Sequence, residues 1–162
     1  MTQEKRSYLG QGPKMFRPAV AWMALSGLVG WLLPSIFLIP SSIAGISLLF
    51  GVVFVFIGAA LYLWGSWCMI WAVKSDALYT AGPFSLVRHP MYSAWILFLF
   101  PGIALIAGVW PMLASSLVAW AMFKKHMPAE EQEMINEYGP AYEEYKIRVP
   151  ALVPNLLVLI RK

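Results

Sequence analysis

The sequence has very little charge. Only 12% of its 162 residues are Asp, Glu, Lys or Arg, whereas 60% are hydrophobic. A soluble domain usually carries about a quarter charged residues. No charged residue lies between Pro18 and Val73 or between Met91 and Phe123. This composition argues against an ordinary soluble domain and predicts an all-α integral membrane protein.

Metal-binding and nucleophilic side chains are also scarce. The chain has one cysteine, Cys68, and two histidines, His89 and His126. One cysteine excludes an intramolecular disulfide and a cysteine-cluster metal site, and we expect no metal. The sequence also lacks a phosphate loop, a dinucleotide glycine fingerprint, a His-Glu-x-x-His motif and a nucleophile elbow. These absences leave the polar clusters at the ends of the apolar runs as candidate sites.

The apolar residues form four runs separated by turns or charged segments. The runs are Pro18–Ile39, Ile43–Val73, Met91–Val109 (interrupted at Pro101-Gly102) and the short Met112–Phe123. They predict about four transmembrane helices, the last two forming a hairpin. Short cytoplasmic helices should follow, the first beginning at Pro128 and ending at Gly139-Pro140, the second ending at Val149-Pro150.

The second run is longer than one perpendicular crossing requires. At ~1.5 Å per residue it would extend roughly 46 Å, against a hydrocarbon core of about 30 Å. It must therefore tilt, kink or protrude. Gly51, Gly58 and Gly65 recur every seventh residue in this run and predict a close-packing seam on one helix face.

The basic residues indicate the orientation. Lys and Arg occur within residues 5–17, 74–88, 124–125 and 146–162, whereas the turns near residues 41 and 109 have none. The positive-inside rule then places both termini in the cytoplasm, with four crossings. We expect a single multi-pass domain over residues 1–162 in a bacterial or archaeal inner membrane. Residues 1–75 would form a two-helix anchor and residues 76–162 the functional core.

The first polar cluster contains Arg88, His89 and Tyr92. It could simply anchor a helix at the membrane interface. It could also bind an anionic or aromatic ligand, since arginine binds carboxylates and phosphates in bidentate fashion.

Two further clusters follow after the last apolar run. His126 precedes Glu130 by one helical turn, and Glu131 is adjacent, so the carboxylates could either be a solvated helix start or hold hydroxyls or a cation. Tyr142, Tyr145 and Arg148 recur every third residue. They could dock a surface helix or contribute to a site.

The order of these clusters resembles the isoprenylcysteine carboxyl methyltransferase family, and parts of it occur in the related phospholipid N-methyltransferases. The resemblance covers about half of the chain. It rests on Gly82-Pro83-Phe84, Arg88-His89-Pro90-Met91-Tyr92, Glu130-Glu131 and Tyr138-Gly139-x-x-Tyr142-x-x-Tyr145-x-x-Arg148-Val149-Pro150.

The resemblance implies a membrane enzyme that uses S-adenosyl-L-methionine and holds it at the cytoplasmic face. The implied cofactor contacts are Asp76, Ala77, Leu78, Tyr79, Phe84, His89, Pro90, Met91, Tyr92, Glu130 and Glu131. His126 stands where the family has an arginine on the substrate side. We expect His126 to act as a base or line the substrate pocket, and Arg148 to hold a substrate anion.

The acceptor remains open. It would be a lipophilic molecule from the bilayer, either an isoprenylcysteine carboxylate or another lipid or thiol, and we expect no nucleic-acid partner. A monomer and a homodimer are both compatible with the glycine seam. The alternatives are an NADPH-dependent membrane reductase of the sterol or enone type and a non-enzymatic helical membrane module. The carboxylate pair opposes the reductase, because NADPH is polyanionic.

Overall fold

The computed structural model describes residues 12–75 and 78–154. This part of the chain contains α1 (Gly12–Leu32), α2 (Pro34–Phe37), α3 (Ser41–Ser75), α4 (Pro90–Ser93), α5 (Phe100–Ala107), α6 (Ala114–Tyr138) and α7 (Pro140–Arg148). A π-helical stretch, Ala94–Leu99, joins α4 to α5. The resulting continuous helix, Pro90–Ala107, is called the central helix below.

Three of these helical segments are long and apolar enough to cross a membrane: Lys14–Leu32, Ser41–Ala72 and the central helix. Large apolar side chains point away from the protein on one side of α3, where Leu49, Phe56 and Leu63 are 63%, 76% and 67% exposed. Their seven-residue spacing forms one continuous apolar face, as lipid contact requires. The chain is thus a helical integral membrane protein, as its composition predicted.

The glycine seam of α3 packs against the central helix. A β-carbon on Gly51 would lie 2.9 Å from the carbonyl oxygen of Gly102, and one on Gly58 would lie 2.9 Å from Leu99. Gly65 meets Pro90 at the other end of the contact. The predicted seam is therefore confirmed, and its partner is the central helix of the same chain.

The second run forms one unbroken helix of 35 residues. At ~1.5 Å per residue this helix is roughly 52 Å long. Because Gly65 already lies level with Pro90, the last turns of α3 extend beyond the start of the central helix. Of the three expectations, a kink that breaks the helix is wrong, because α3 is continuous from Ser41 to Ser75.

Two boundaries at prolines differ from the prediction. The first helix begins at Gly12 rather than Pro18 and ends at Leu32 rather than Ile39. It ends early because the residue before Pro34 is sterically disfavoured in the helical conformation. At Pro101 the predicted interruption is wrong, since the central helix continues through it. The π-helical stretch directly precedes Pro101 and adjusts the hydrogen bonding where an N–H is missing.

Another proline, Pro128, also lies inside a helix. Pro128 was expected to begin a new cytoplasmic helix, but α6 runs through it from Ala114 to Tyr138. The missing hydrogen bond is offset by packing, because Phe123, Met127 and Glu131 are all buried along one face of α6. The predicted break at Gly139-Pro140 is confirmed, with Gly139 at a φ of +56°.

The two uncharged turns meet at one end of the helices. The N–H of Ile39 donates to the carbonyl oxygen of Gly108 at 2.7 Å, and Leu38 forms an isolated β-bridge with Val109. At the opposite end, α1 packs against α6 through a core that includes Met15, Ala19 and Phe123. The charged residues of the central part of the chain converge at this second end.

Candidate active site

The site begins with the short segment that leads into the central helix. Gly82, with a φ of +58°, opens a 3₁₀ turn, and Pro90 starts the helix. Between them, Arg88 and His89 are extended enough to pair with another segment. Their backbone N–H groups donate to the carbonyl oxygens of Pro150 and Ala151 at 2.8 and 3.1 Å.

The same C-terminal segment makes a further contact one turn into the central helix. The hydroxyl of Ser93 is buried and donates to the carbonyl oxygen of Leu152 at 2.7 Å. Residues 150–152 therefore hold the segment 88–93 through three hydrogen bonds to backbone carbonyls.

Glu131 is the centre of an ion-pair network. Its Oε1 accepts hydrogen bonds from Nε and Nη2 of Arg88, and its Oε2 lies 2.7 Å from Nζ of Lys146. Arg88 also donates through Nη1 to the carbonyl oxygens of Lys146 and Val149. The network ties three separate parts of the chain together: the segment before the central helix, α6 and α7.

The environment strongly favours the charged form of Glu131. Burial by itself raises the pKa of this carboxyl, but the neighbouring His89, Lys146 and Arg88 outweigh it and hold the pKa well below its ordinary value. Arg88 and Glu131 side chains are only 10% and 8% exposed. The carboxylate is thus ionised throughout the physiological range and balances the buried guanidinium.

His89 is a buried imidazole whose Nε2 lacks a hydrogen-bond partner among the described residues. Its side chain is 9% exposed, and Nε2 is 3.7 Å from Oε1 of Glu131, too far for a hydrogen bond. The ring packs against both Tyr92 and Phe123, with centroid distances of 5.7 Å to each, and these two rings also contact each other. A buried polar nitrogen without a partner is costly unless a ligand or water satisfies it.

Glu130 lies on a different side of α6 from Glu131. Its Oε2 accepts a hydrogen bond from the hydroxyl of Tyr92 at 3.1 Å. The Tyr92 ring also contacts Phe16 of α1 at 5.7 Å. The structure therefore brings His89, Tyr92, Glu130 and Glu131 together, as the resemblance implied, but gives the two carboxylates different partners.

Two further predicted contacts, Tyr79 and Phe84, lie in the loop before the central helix. The hydroxyl of Tyr79 is 3.7 Å from the thiol of Cys68, and this hydrogen bond, with some desolvation, raises the pKa of Tyr79. The Tyr79 ring meets Phe84 edge-on at 5.9 Å. Leu78 is half-buried in the same loop, whereas Asp76 and Ala77 lie outside the described residues.

Two other predicted contacts face away from the network. The side chains of Pro90 and Met91 pack against Gly65, and Met91 Sδ accepts a hydrogen bond from Ser66 at 3.5 Å. They hold the central helix to α3. Any contact they make with a ligand at His89 would have to come from their backbone.

The tyrosines of α7 dock this helix, as one interpretation of their spacing predicted. Tyr142 and Tyr145 are buried, whereas Arg148 is exposed. The hydroxyl of Tyr145 donates to the carbonyl oxygen of Phe84 at 2.6 Å. Burial, followed by the negative charge of Glu131, raises the pKa of Tyr142 to about 12, so its phenol stays neutral.

The two residues predicted to act on the substrate have different positions. His126 is half-buried on α6, one turn before Glu130. Arg148 is at the exposed end of α7, and Lys146 rather than Arg148 pairs with Glu131. Sequence reasoning missed Lys146, because nothing in its local pattern distinguishes it from the other charges of α7.

A cavity of about 390 Å³ opens on the Glu131 side of α6. Its lining includes Arg88, Phe123, Lys124, Met127, Glu131 and Lys146. Sequence reasoning missed this cavity as well. The available signal was the spacing of Lys124, Glu131 and Ile135 on one helical face.

Comparison with known proteins shows similarity to one family. The family model described as the isoprenylcysteine carboxyl methyltransferase (ICMT) family matches residues 57–136. A protein-S-isoprenylcysteine O-methyltransferase from Schizosaccharomyces pombe is 31% identical over 81 residues, which is 50% of this chain and 34% of that protein. Methanethiol S-methyltransferase 2 of Bradyrhizobium diazoefficiens is 34% identical over 73 residues, 45% of this chain and 27% of that protein.

A third relative carries a different kind of name. The cobalt-zinc-cadmium resistance protein CzcN of Cupriavidus metallidurans is 33% identical over 95 residues, 56% of this chain and 42% of that protein. The matched segments thus span between about a quarter and two-fifths of these three relatives. The family match includes His89, Tyr92, Glu130 and Glu131, so over about half of its length this chain is similar to the isoprenylcysteine carboxyl methyltransferase family.

Proposed function

We propose that this protein is a membrane-embedded methyltransferase that transfers a methyl group from S-adenosyl-L-methionine to a lipophilic acceptor. The observation that carries the proposal is the buried Nε2 of His89, which lacks a hydrogen-bond partner among the described residues and belongs to a ring packed against Tyr92 and Phe123. The family match and the methyltransferase names of two relatives support it.

The residues around His89 fit the chemical groups of the cofactor. S-adenosyl-L-methionine combines an adenine ring, ribose hydroxyls, an amino-acid end and a positively charged sulfur. Glu130 offers a carboxylate for hydroxyls or an ammonium, His89 a buried nitrogen, and Tyr92 and Phe123 aromatic surface. Leu78, Tyr79 and Phe84, with Asp76 and Ala77, complete the proposed contacts on the loop side, and Pro90 and Met91 contribute through their backbone.

Glu131 has a supporting role in this proposal. It is already engaged by Arg88 and Lys146. It therefore fixes Arg88 and, through it, the segment that carries His89, while Glu130 is the carboxylate we propose for direct contact with the cofactor.

The cofactor supplies a methyl group on a cationic sulfur, so the protein's task is to orient the acceptor and exclude water. Phe16, Tyr92 and Phe123 surround the site with aromatic rings. A carboxylate acceptor needs no base. A thiol or amine must lose a proton, and we propose His126 as the group that accepts it, with Arg148 binding an anionic part of the acceptor.

The membrane arrangement completes the proposal. Three helices can span by length and composition, and the Met112–Phe123 stretch would supply a fourth, shorter crossing that joins the central helix in a hairpin. Both termini would then be cytoplasmic, at the same face as the site. The acceptor would reach this face from within the bilayer, in a monomer or a homodimer.

The direct test is incubation of the purified protein with methyl-labelled S-adenosyl-L-methionine and a total lipid extract. We expect a labelled lipophilic product and none from a His89→Ala variant. Thermal unfolding in S-adenosylhomocysteine and in NADPH provides an independent measurement. Stabilisation by NADPH alone would overturn the proposal in favour of a reductase, and stabilisation by neither would favour a non-enzymatic membrane module.

A further inference from the structure

The cavity on the Glu131 side of α6 carries an excess of positive charge. Arg88, Lys124 and Lys146 line it together with one carboxylate, Glu131. Three cations and one anion leave a net charge of +2 at neutral pH. The positive potential of this net charge should attract an anion into the cavity.

The donors available to such an anion belong to the two lysines. Arg88 already donates to Glu131 and to two backbone carbonyls. The ammonium of Lys146 has three N–H donors, and its ion pair with Glu131 occupies one. The ammonium of Lys124 lies 6.0 Å from the centre of the Trp120 ring. This cation–π contact leaves its N–H groups available to donate to a ligand.

The inner surface of the cavity is apolar. Phe123, Met127 and Ile135 contribute to it beneath the lysines. A small, strongly hydrated anion would gain little from such a surface, whereas a molecule with a charged head and a hydrocarbon body would bury part of that body.

Exposed apolar side chains lie on the same side of α6 as the cavity, toward the N-terminal end of this helix. Leu113, Leu117 and Trp120 are 38%, 69% and 49% exposed. Leu113 directly precedes α6, and the spacing of all three residues to Lys124 places them on the side of the helix that carries the cavity. This surface, which we name the α6 stripe (Leu113, Leu117, Trp120), thus places exposed apolar side chains in line with a cationic cavity.

We propose that this cavity binds the phosphate headgroup of an anionic membrane phospholipid, with an acyl chain lying along the α6 stripe. Lys124 and Lys146 contact the phosphate, and the apolar lining covers the glycerol end of the chains. Basic pockets between helices on the positively charged side of membrane proteins suit such headgroups. The cavity adjoins the proposed cofactor contacts through Phe123 and Glu131, whereas Glu130, which accepts a hydrogen bond from Tyr92, is not part of its lining.

Native mass spectrometry of the full chain in a neutral detergent tests this inference, with phosphatidylglycerol or phosphatidylcholine added at known concentrations. Lys124→Gln removes the key charge, and the matched control is Lys125→Gln, an exposed lysine that is not part of the cavity lining. We expect phosphatidylglycerol to bind at least fivefold more tightly than phosphatidylcholine. We expect about a fivefold loss in Lys124→Gln, less than twofold in Lys125→Gln and recovery in Lys124→Arg.

A second variant and a competitor test the two parts of the ligand. Leu117→Gln should weaken phosphatidylglycerol binding while leaving the unfolding temperature close to that of the wild type. Millimolar inorganic phosphate should not displace the lipid. Equal binding of the two lipids, equal losses in Lys124→Gln and Lys125→Gln, or displacement by free phosphate would each overturn the proposal. All of these readouts measure lipid binding, so the lipid proposal can fail while methyl transfer from S-adenosyl-L-methionine is still observed.

Discussion

Glu130 and Glu131 are neighbours in the sequence but differ in almost every structural respect. Glu131 is 6% exposed and makes ion pairs with Arg88 and Lys146. Glu130 is half-buried, and its described partner is the neutral hydroxyl of Tyr92. Consecutive residues on a helix point about 100° apart, and here that rotation separates a structural carboxylate from one that we propose for ligand binding. Four measurements would break or sharpen this contrast.

Replacing Glu131 should have the largest effect. Glu131→Ala leaves the guanidinium of Arg88, only 10% exposed, without its carboxylate. Loss of one partner of a buried ion pair costs about 3 kcal/mol or more. We expect a large fall in the unfolding temperature in detergent. Glu130→Ala is the matched control and should cost about 1 kcal/mol or less; equal losses would contradict the contrast.

Acid should reveal the Glu131 contribution without mutation. The pKa of Glu131 is lower in the folded protein than in the unfolded chain, so its stabilisation is complete above about pH 4.5 and is lost as the pH falls below that value. At pH 3 the loss should reach ~2 kcal/mol. The measurement is the difference in stability between the wild type and Glu131→Gln from pH 3 to 7. A difference that stays constant over this range would show that Glu131 is not the titrating group.

Replacing Glu130 should affect binding instead of folding. In Glu130→Gln we expect the affinity for S-adenosylhomocysteine to fall about tenfold, roughly 1.4 kcal/mol, with little change in the unfolding temperature. Isothermal titration calorimetry on the purified protein measures this. Glu133→Gln, an exposed position on the same helix, is the control and should bind normally. Unchanged affinity in Glu130→Gln would remove this carboxylate from the proposed cofactor site.

Removing the hydroxyl of Tyr92 should give the smallest effect. Tyr92→Phe keeps the aromatic contacts with His89 and Phe16 but deletes the hydrogen bond to Glu130. A hydrogen bond of this kind contributes about 1 kcal/mol. We expect a three- to fivefold loss of S-adenosylhomocysteine affinity and the same fold. Tyr62→Phe, at a partly exposed tyrosine of α3, is the control; a similar loss there would point to a general effect of the membrane core.

The sequence predicted the helical membrane fold, and it predicted which end of the helices has uncharged turns and which end has the charged residues. Long runs without a charged residue do not form the surface of a soluble protein. The two uncharged turns, near residues 41 and 109, indeed meet at one end of the helices. The seam of Gly51, Gly58 and Gly65 was equally predictable, because small residues at seven-residue spacing share one helix face. What the sequence did not reveal was the partner of this seam.

The distinct roles of the two carboxylates could not be predicted, and Pro128 is the reason. A helix that began at Pro128 would have no fixed rotation relative to Phe123. Since α6 continues through the proline, Glu131 falls in line with Phe123 and Met127 and is carried into the interior. The choice of Lys146 as its partner depends on how α7 docks, which the buried Tyr142 and Tyr145 determine. Such a long-range contact leaves no local pattern.

The pairing of residues 150–152 with Arg88, His89 and Ser93 imposes an order on biosynthesis. The three segments that can span a membrane are all synthesised before Pro150, so His89 still lacks its neighbouring segment when they are complete. The site is completed only when one of the last described stretches of the chain returns to the membrane face. We therefore expect nascent polypeptides of this protein to be anchored in the membrane before the proposed binding site is complete.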